Sequence, residues 1–316
     1  MTWASSTLTR GLSTGWETWR AFWFQPQQMY TLGVVRIAFG ALVVVWTLWL
    51  LPVRKALLGP HGISTAQPSI PDTWGLFAVW NSDEAILMGI VVLLVAAIAM
   101  LVGWHSRIAA VIVFVLVLSF ERRSPWVFNS GDALMRIEAF LLAISPCGAA
   151  LSLDERRRSG SFWSAQTRPN WPIRLLQIQL SIVYLFAVQT KLAGQPWLDG
   201  TAVSYVLRIE DMKRIPVPQW LAMNAPVMNA VTWGVLAIEL ALGILVWFRR
   251  FRPWVLTAGV VMHVTIDLTV QIGIFSYAVL VLYLAWTSPE TVKGLPDSLR
   301  KLPMPLAPRH GGAGRA

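Results

Sequence analysis

Eight long apolar stretches, at roughly 29–51, 84–103, 107–120, 132–152, 171–191, 226–248, 253–271 and 273–288, leave little between them except short polar loops. A segment in hydrocarbon must satisfy its backbone N–H and C=O groups internally, and at ~20 residues per ~30 Å of bilayer core the helix is the element that does so. The expected fold is therefore all-α: a polytopic integral membrane helical bundle of about eight transmembrane helices. The third and eighth stretches are short, which suits a tilted or re-entrant segment.

Composition agrees, with 55% hydrophobic and 13% charged residues, about half the charged share of a soluble chain. Of the 18 tryptophans, Trp46, Trp49, Trp104, Trp126, Trp171, Trp197, Trp247, Trp254 and Trp286 fall near stretch ends, where an indole sits half in lipid and half in water. The single cysteine, Cys147, excludes an intrachain disulfide and thiolate metal or CxxC redox chemistry. The four histidines are too dispersed for HExxH, and no Walker or GxGxxG loop occurs, so no metal, nucleotide or haem signature is present.

A net charge of +10 would suggest nucleic acid in a soluble chain. Here the basic residues flank apolar stretches and report orientation instead. Eight spans with the N-terminus inside place 16 Lys and Arg on one face and seven on the other, which predicts a multi-pass plasma-membrane protein with both termini cytoplasmic. Residues 1–28 lack the pattern of a cleavable signal, so the first span is expected to be retained. Within them, residues 8–24 place Leu12, Trp16, Trp19 and Trp23 on one helical face, as an interfacial helix would. The organisation is then a cytoplasmic interfacial segment (1–28), one transmembrane domain (29–288) and a basic, Pro/Gly-rich cytoplasmic tail (289–316). The segment 153–170 reads as a polar, basic linker.

Function must reside in the polar residues that the bilayer should exclude. On the fifth span Gln177, Ser181, Tyr184 and Lys191 form a narrow stripe on one face. Tyr184 lies ~10 Å deeper than Lys191, so the stripe either lines a cavity open to the outside or combines interhelical hydrogen bonds with a snorkelling lysine. On the seventh span His263 and Asp267 are four apart and can touch; a carboxylate beside an imidazole favours its charged form and fixes its tautomer, as proton transfer requires. A neutral pair locking two helices is the other reading. Glu239, near the middle of the sixth span, needs a lysine, an arginine or a proton. The fourth span opens with Asp132 and Arg136 at i, i+4, although Arg136 can also pair across helices, and Glu138 points the other way. Arg36 in the first span suits structural pairing or inward snorkelling. Polar residues of four spans thus converge in the outer half of the expected bundle.

The stretches VVRIAFGALVVV, NSGDALMRIEAFLL, QLSIVYLFAVQTKLAGQPWLDG and HVTIDLTVQIGIFSYAVLVL resemble the vitamin K-dependent γ-carboxylase-like membrane proteins, the horizontally transferred transmembrane (HTTM) domain family, over roughly residues 20–290. The Lys-Leu ending of the fifth span, followed by Trp and Gly, is the most specific match. The resemblance implies that Lys191 occupies the position of a lysine that deprotonates a reduced quinone. The expected site is then Lys191 as base, the His263 and Asp267 pair assisting, and Gln177, Tyr184, Arg136, Asp132 and Glu239 binding the substrate. Two departures count against full carboxylation. Asn129–Ser130 stands where the carboxylases carry Asn-His, and about 28 residues follow the last span in place of a large soluble portion. The expected partners are the bilayer and either a lipid-soluble small molecule or an exported peptide that a non-catalytic relative would help mature, secrete or tolerate.

Overall fold

The computed structural model describes residues 15–63 and 75–300; the beginning of the expected interfacial segment, with Leu12, and the tail from 301 lie outside the described residues. Eight helices make the bundle: α1 (Tyr30–Leu58), α2 (Asp83–Val102), α3 (Ser106–Arg123), α4 (Ser130–Ile144), α5 (Trp171–Leu192), α6 (Ala225–Ile244), α7 (Arg252–Thr269) and α8 (Phe275–Tyr283). Each expected span has its helix, and the chain is an all-α membrane bundle. By length and hydropathy α1, α2, α5 and the helical run Ala225–Trp247 can cross a membrane, with Phe275–Trp286 a shorter apolar segment.

Local chemistry sets the helix ends. Ser82 accepts from the Ala85 N–H before α2, whose first turn carries Asp83 and Glu84, and Gly103 closes it at φ +73°. Asn129 and Asp132 form a reciprocal capping box on α4. Asn224 caps α6, and Pro172, Pro226 and Pro253 occupy the first turns of α5, α6 and α7, where a missing N–H costs nothing. Two boundaries move against expectation. The fourth span stops at Ile144, because Pro146 cannot continue it. The first continues through Pro52 to Leu58, making a helix of 29 residues, about 43 Å long.

The helices alternate in direction and their ends sort to two sides. At one side Met29 N–H donates to Gln166 O, Thr31 to Thr287 O, and Asp154 accepts from the His105 and Ser106 N–H groups. At the other, Lys55 pairs with Asp83, Ser124 donates to Leu57 O, and Arg214 N–H donates to Thr269 O. We call these the basic end and the loop end. The described residues nearest both termini lie at the basic end.

The linker 153–170 is more ordered than its polarity suggests. It contains a short helix, Leu153–Ser159, capped by Ser152, and a strand, Thr167–Pro169, antiparallel to Pro26–Gln28 with Gln27 opposite Arg168. Glu155 organises it, accepting from Arg158, Ser164 and Gln166. Those bonds hold its carboxylate below the usual range, the Arg158 bonds contributing most.

Arg36 is fully buried and structural, as expected. Its guanidinium donates to Met100 O, Leu101 O and Leu151 O, satisfying carbonyls at the end of α2. Beside it a Cβ on Gly40 would stand 2.8 Å from Leu101 Cα, so α1 and α2 meet backbone to backbone. The tryptophans divide. Trp49, Trp126 and Trp254 are exposed, whereas Trp46 is 1% exposed and belongs to the core, a correction to its interfacial reading. In the stretch before α1, Trp16 and Trp19 are stacked and exposed.

Candidate functional site

Helices α5, α6, α7 and α8 bring a buried polar cluster together. α5 and α6 run antiparallel, with Trp247 Nε1 donating to Ser181 Oγ at 2.8 Å and Gly243 against Leu185. This register carries Lys191 to Glu239: Nζ and Oε1 form an ion pair, with side chains 23% and 8% exposed. The ammonium also lies 4.9 Å from the centre of the Trp197 ring. Glu239 thus has the cationic partner that its depth demands, while its second oxygen, Oε2, is buried without a hydrogen-bond partner.

One layer further in, the Tyr184 hydroxyl is 2.8 Å from His263 Nε2 and hydrogen-bonded to the Tyr283 hydroxyl. His263 Nδ1 is 3.3 Å from Ser276 Oγ. All four side chains are buried. Tyr184 lies seven residues before Lys191 on α5, so the aromatic chain and the ion pair share one face of that helix. Gly259 provides the space, since a Cβ there would meet the Tyr283 hydroxyl at 2.1 Å.

The remaining expected site residues go elsewhere. Asp267 does not pair with His263; it accepts from Tyr277 at 2.7 Å and faces Arg214 at 3.3 Å. The i, i+4 spacing permits contact, but the Tyr184 and Ser276 hydroxyls hold the imidazole while a loop arginine draws the carboxylate toward the loop end. Arg136 does not pair with Asp132. It forms an ion pair with Glu121 on α3, and Asp132 is occupied by the Asn129 N–H at 2.8 Å and Trp46 Nε1 at 2.9 Å. Gln177 bridges Arg174 and Ala285 O at the basic end, a packing role. Glu138 is fully buried with neither oxygen hydrogen-bonded.

Asp132 does line a half-open cavity of about 870 Å³ at the loop end, bordered by α1, the start of α4, the segment carrying Met212 and Arg214, and the α7–α8 turn. Trp46, Trp49, Phe128 and Phe275 give it aromatic walls, and Asn129, Arg214 and Gln271 its polar points. Phe275 also packs against His263 with ring centres 6.0 Å apart, so cavity and polar cluster share a wall.

Sequence reasoning missed Tyr283, Ser276, Tyr277 and Glu121. Ser276 and Tyr283 are seven apart, hence on one face of α8, and that spacing was the available signal. Asn129-x-x-Asp132 was likewise a readable capping box.

The HTTM domain profile matches residues 24–290. Two curated relatives come from Bacillus subtilis strain 168. The uncharacterized protein YitO is 26% identical over 212 residues, 59% of this chain and 63% of the relative. The sporulation-delaying protein SdpB is 23% identical over 202 residues, 58% of this chain and 59% of the relative. The chain therefore spans about three fifths of the length of either protein. No solved structure gives a significant match.

Proposed function

The chain belongs to the HTTM domain family, and from that premise we propose that it is a plasma-membrane protein that binds, and exchanges protons with, a lipid-soluble small molecule of quinol type. The observation that carries this reading is the Lys191–Glu239 pair, whose lysine shares α5 with Tyr184, the middle of a buried hydrogen-bonded chain with His263 and Tyr283. Ionisable groups at that depth are costly and are retained where they do chemistry.

The residues fit such a molecule. Lys191 is partly accessible while Glu239 is enclosed, so a ring reaching the lysine from the lipid side meets an ammonium whose counter-charge is already in place. A ligand oxygen beside Nζ would compete with Glu239 Oε1, and passage of the ammonium proton to the carboxylate leaves the neutral amine that a base requires. A bound quinol would supply the acidic hydroxyl and the redox chemistry. The aromatic cavity provides a second apolar surface close to the imidazole.

The test is equilibrium binding of a reduced naphthoquinone to the purified chain in lipid nanodiscs, with epoxide formation followed under oxygen. Saturable binding that Lys191→Ala abolishes and Lys191→Arg weakens supports the reading; equal binding by all three proteins overturns it.

The similarity to the sporulation-delaying protein SdpB favours a second reading, in which the chain is a non-catalytic membrane component serving an exported peptide. Lys191→Ala then lowers stability alone. In either case the 16 to 7 distribution of basic residues supports an orientation with the basic end in the cytoplasm. The stacked Trp16 and Trp19 support an interfacial role for the stretch before α1.

A further inference from the structure

We propose that the basic end carries a binding site for an anionic phospholipid, built from Arg174 in the first turn of α5, Arg252 at the start of α7 and the row of aromatic rings between them. The site goes beyond the quinol reading and includes no residue of the Lys191 cluster.

The row is continuous. The Arg174 guanidinium lies 4.6 Å from the centre of the Phe22 ring, and Phe22 lies 5.9 Å from Trp247. Trp247 is in turn 4.9 Å from Trp286, over which the Arg252 guanidinium sits at 4.8 Å. A second path joins the same ends: Arg174 donates to Gln177, and Gln177 donates to the carbonyl of Ala285, next to Trp286. The stretch before α1, the start of α5, the α6–α7 turn and the segment after α8 thus meet in one strip.

Both guanidiniums are held in place but not used up. Arg174 donates from Nε to Phe22 O at 3.2 Å and from Nη1 to Gln177, which leaves Nη2 without a hydrogen bond. Arg252 donates from Nε to Val246 O at 2.9 Å and from Nη2 to Trp247 O at 3.4 Å, which leaves Nη1. A guanidinium carries five N–H donors in a rigid fork, and the unspent ones suit phosphate oxygens. An arginine that only orients a span needs no more than to reach water. Two that lie flat on one row of rings with donors to spare form a receptor for oxyanions.

Charge here is unbalanced as well. Arg249 and Arg250 are exposed in the turn just before Arg252, and no ion pair among the described residues involves any of these four arginines. The first turns of α5 and α7 hold no acidic residue, so the positive ends of both helix dipoles add to the arginines. Trp286 adds a buried N–H that has no acceptor.

The surface beside the arginines selects a lipid over a soluble phosphate. Phe248, Phe251 and Trp254 around the turn are exposed, Trp254 to 76%. From Trp254, Val261 and Leu268 follow at steps of seven as exposed residues on one face of α7. A headgroup phosphate on the arginines leaves its acyl chains along that apolar face, as in basic headgroup sites between membrane helices.

The test is native mass spectrometry of the full chain in detergent, titrated with phosphatidylglycerol or phosphatidylcholine. The wild-type chain should bind phosphatidylglycerol about tenfold more tightly, or better. Arg174→Gln combined with Arg252→Gln should remove that preference. Arg156→Gln combined with Arg157→Gln takes the same charge from exposed positions at the same end and should keep it. Equal losses in the two double variants would mean that net charge alone attracts the lipid, and would overturn the site. Displacement of the lipid by millimolar inorganic phosphate would also overturn it, in favour of a soluble anion. Because Arg174 and Arg252 also hold main-chain carbonyls, the wild-type chain supplies a second readout that needs no variant to fold. Phosphatidylglycerol with a photoreactive headgroup should label residues 247–254, and labelling only elsewhere refutes the proposal. Naphthoquinol enters none of these measurements, so their outcome is separate from that of the quinol test.

Discussion

Lys191 and Glu239, 48 positions apart, meet between α5 and α6 as an ion pair whose carboxylate is almost wholly enclosed. Removing one member strands the other charge. Lys191→Met should lower unfolding stability by about 2–3 kcal/mol, under the full cost of breaking a buried pair because the lysine is 23% exposed. Lys191→Met combined with Glu239→Gln should recover about 1 kcal/mol or more of that loss, since no unpaired charge then remains. A thermal double-mutant cycle in detergent decides, and additive costs would show that the pair is not coupled.

Gly40 and Gly234 both lie within long helices but face different surroundings. Gly40→Ala pushes against the Leu101 backbone at 2.8 Å, which cannot yield, and should cost about 1–3 kcal/mol. Gly234 has nothing within 4 Å of its added methyl, and Gly234→Ala should be neutral or stabilising by up to about 1 kcal/mol. Melting temperatures of the two variants give the comparison.

The Glu155 cluster predicts an acid limb. Its carboxylate is held below the usual range by hydrogen bonds from Arg158 and then Gln166 and Ser164. A depressed acid contributes its full stability above the unfolded value, about 4.3, and loses it as pH falls through the lower folded value. Stability should therefore hold above about pH 5 and decline toward pH 3. Glu155→Gln should be less stable at pH 7 and flatter over that interval; parallel profiles would refute the assignment.

Orientation is accessible through the one native thiol. Cys147 is buried, so an impermeant maleimide should leave the wild-type chain unlabelled. In a Cys147→Ser background, cysteines at the exposed positions Arg249 and Trp220 sit at opposite ends of the bundle. Whole cells should label the Trp220 position alone, and the reverse result would invert the bundle.

How much of this was legible in the sequence depended on whether a contact is local. Apolar run length located all eight helices, because hydrocarbon leaves a backbone few other choices. The unusual cost of Glu239 called for a lysine, an arginine or a proton, and only the α5–α6 register brings Lys191 to it. The i, i+4 spacings misled in two places. Asp132 is claimed by its own helix cap and by Trp46, and Asp267 by Arg214, which reaches it from a loop whose path the sequence does not reveal. Tyr283 and Ser276 were hidden because each interrupts an apolar run that by itself says only helix.

The backbone contact at Gly40, reinforced by Arg36 clamping the end of α2, has a mechanical consequence. Two helices that touch main chain to main chain leave no room for a larger side chain or for sliding at that point, so Gly40 fixes the register of α1 on α2. Across the bundle, α6 has the least buried apolar window of the four long spans, and there Gly243 meets the side chain of Leu185 rather than its backbone. The tight main-chain lock thus lies on the opposite side of the molecule from the Lys191–Glu239 pair.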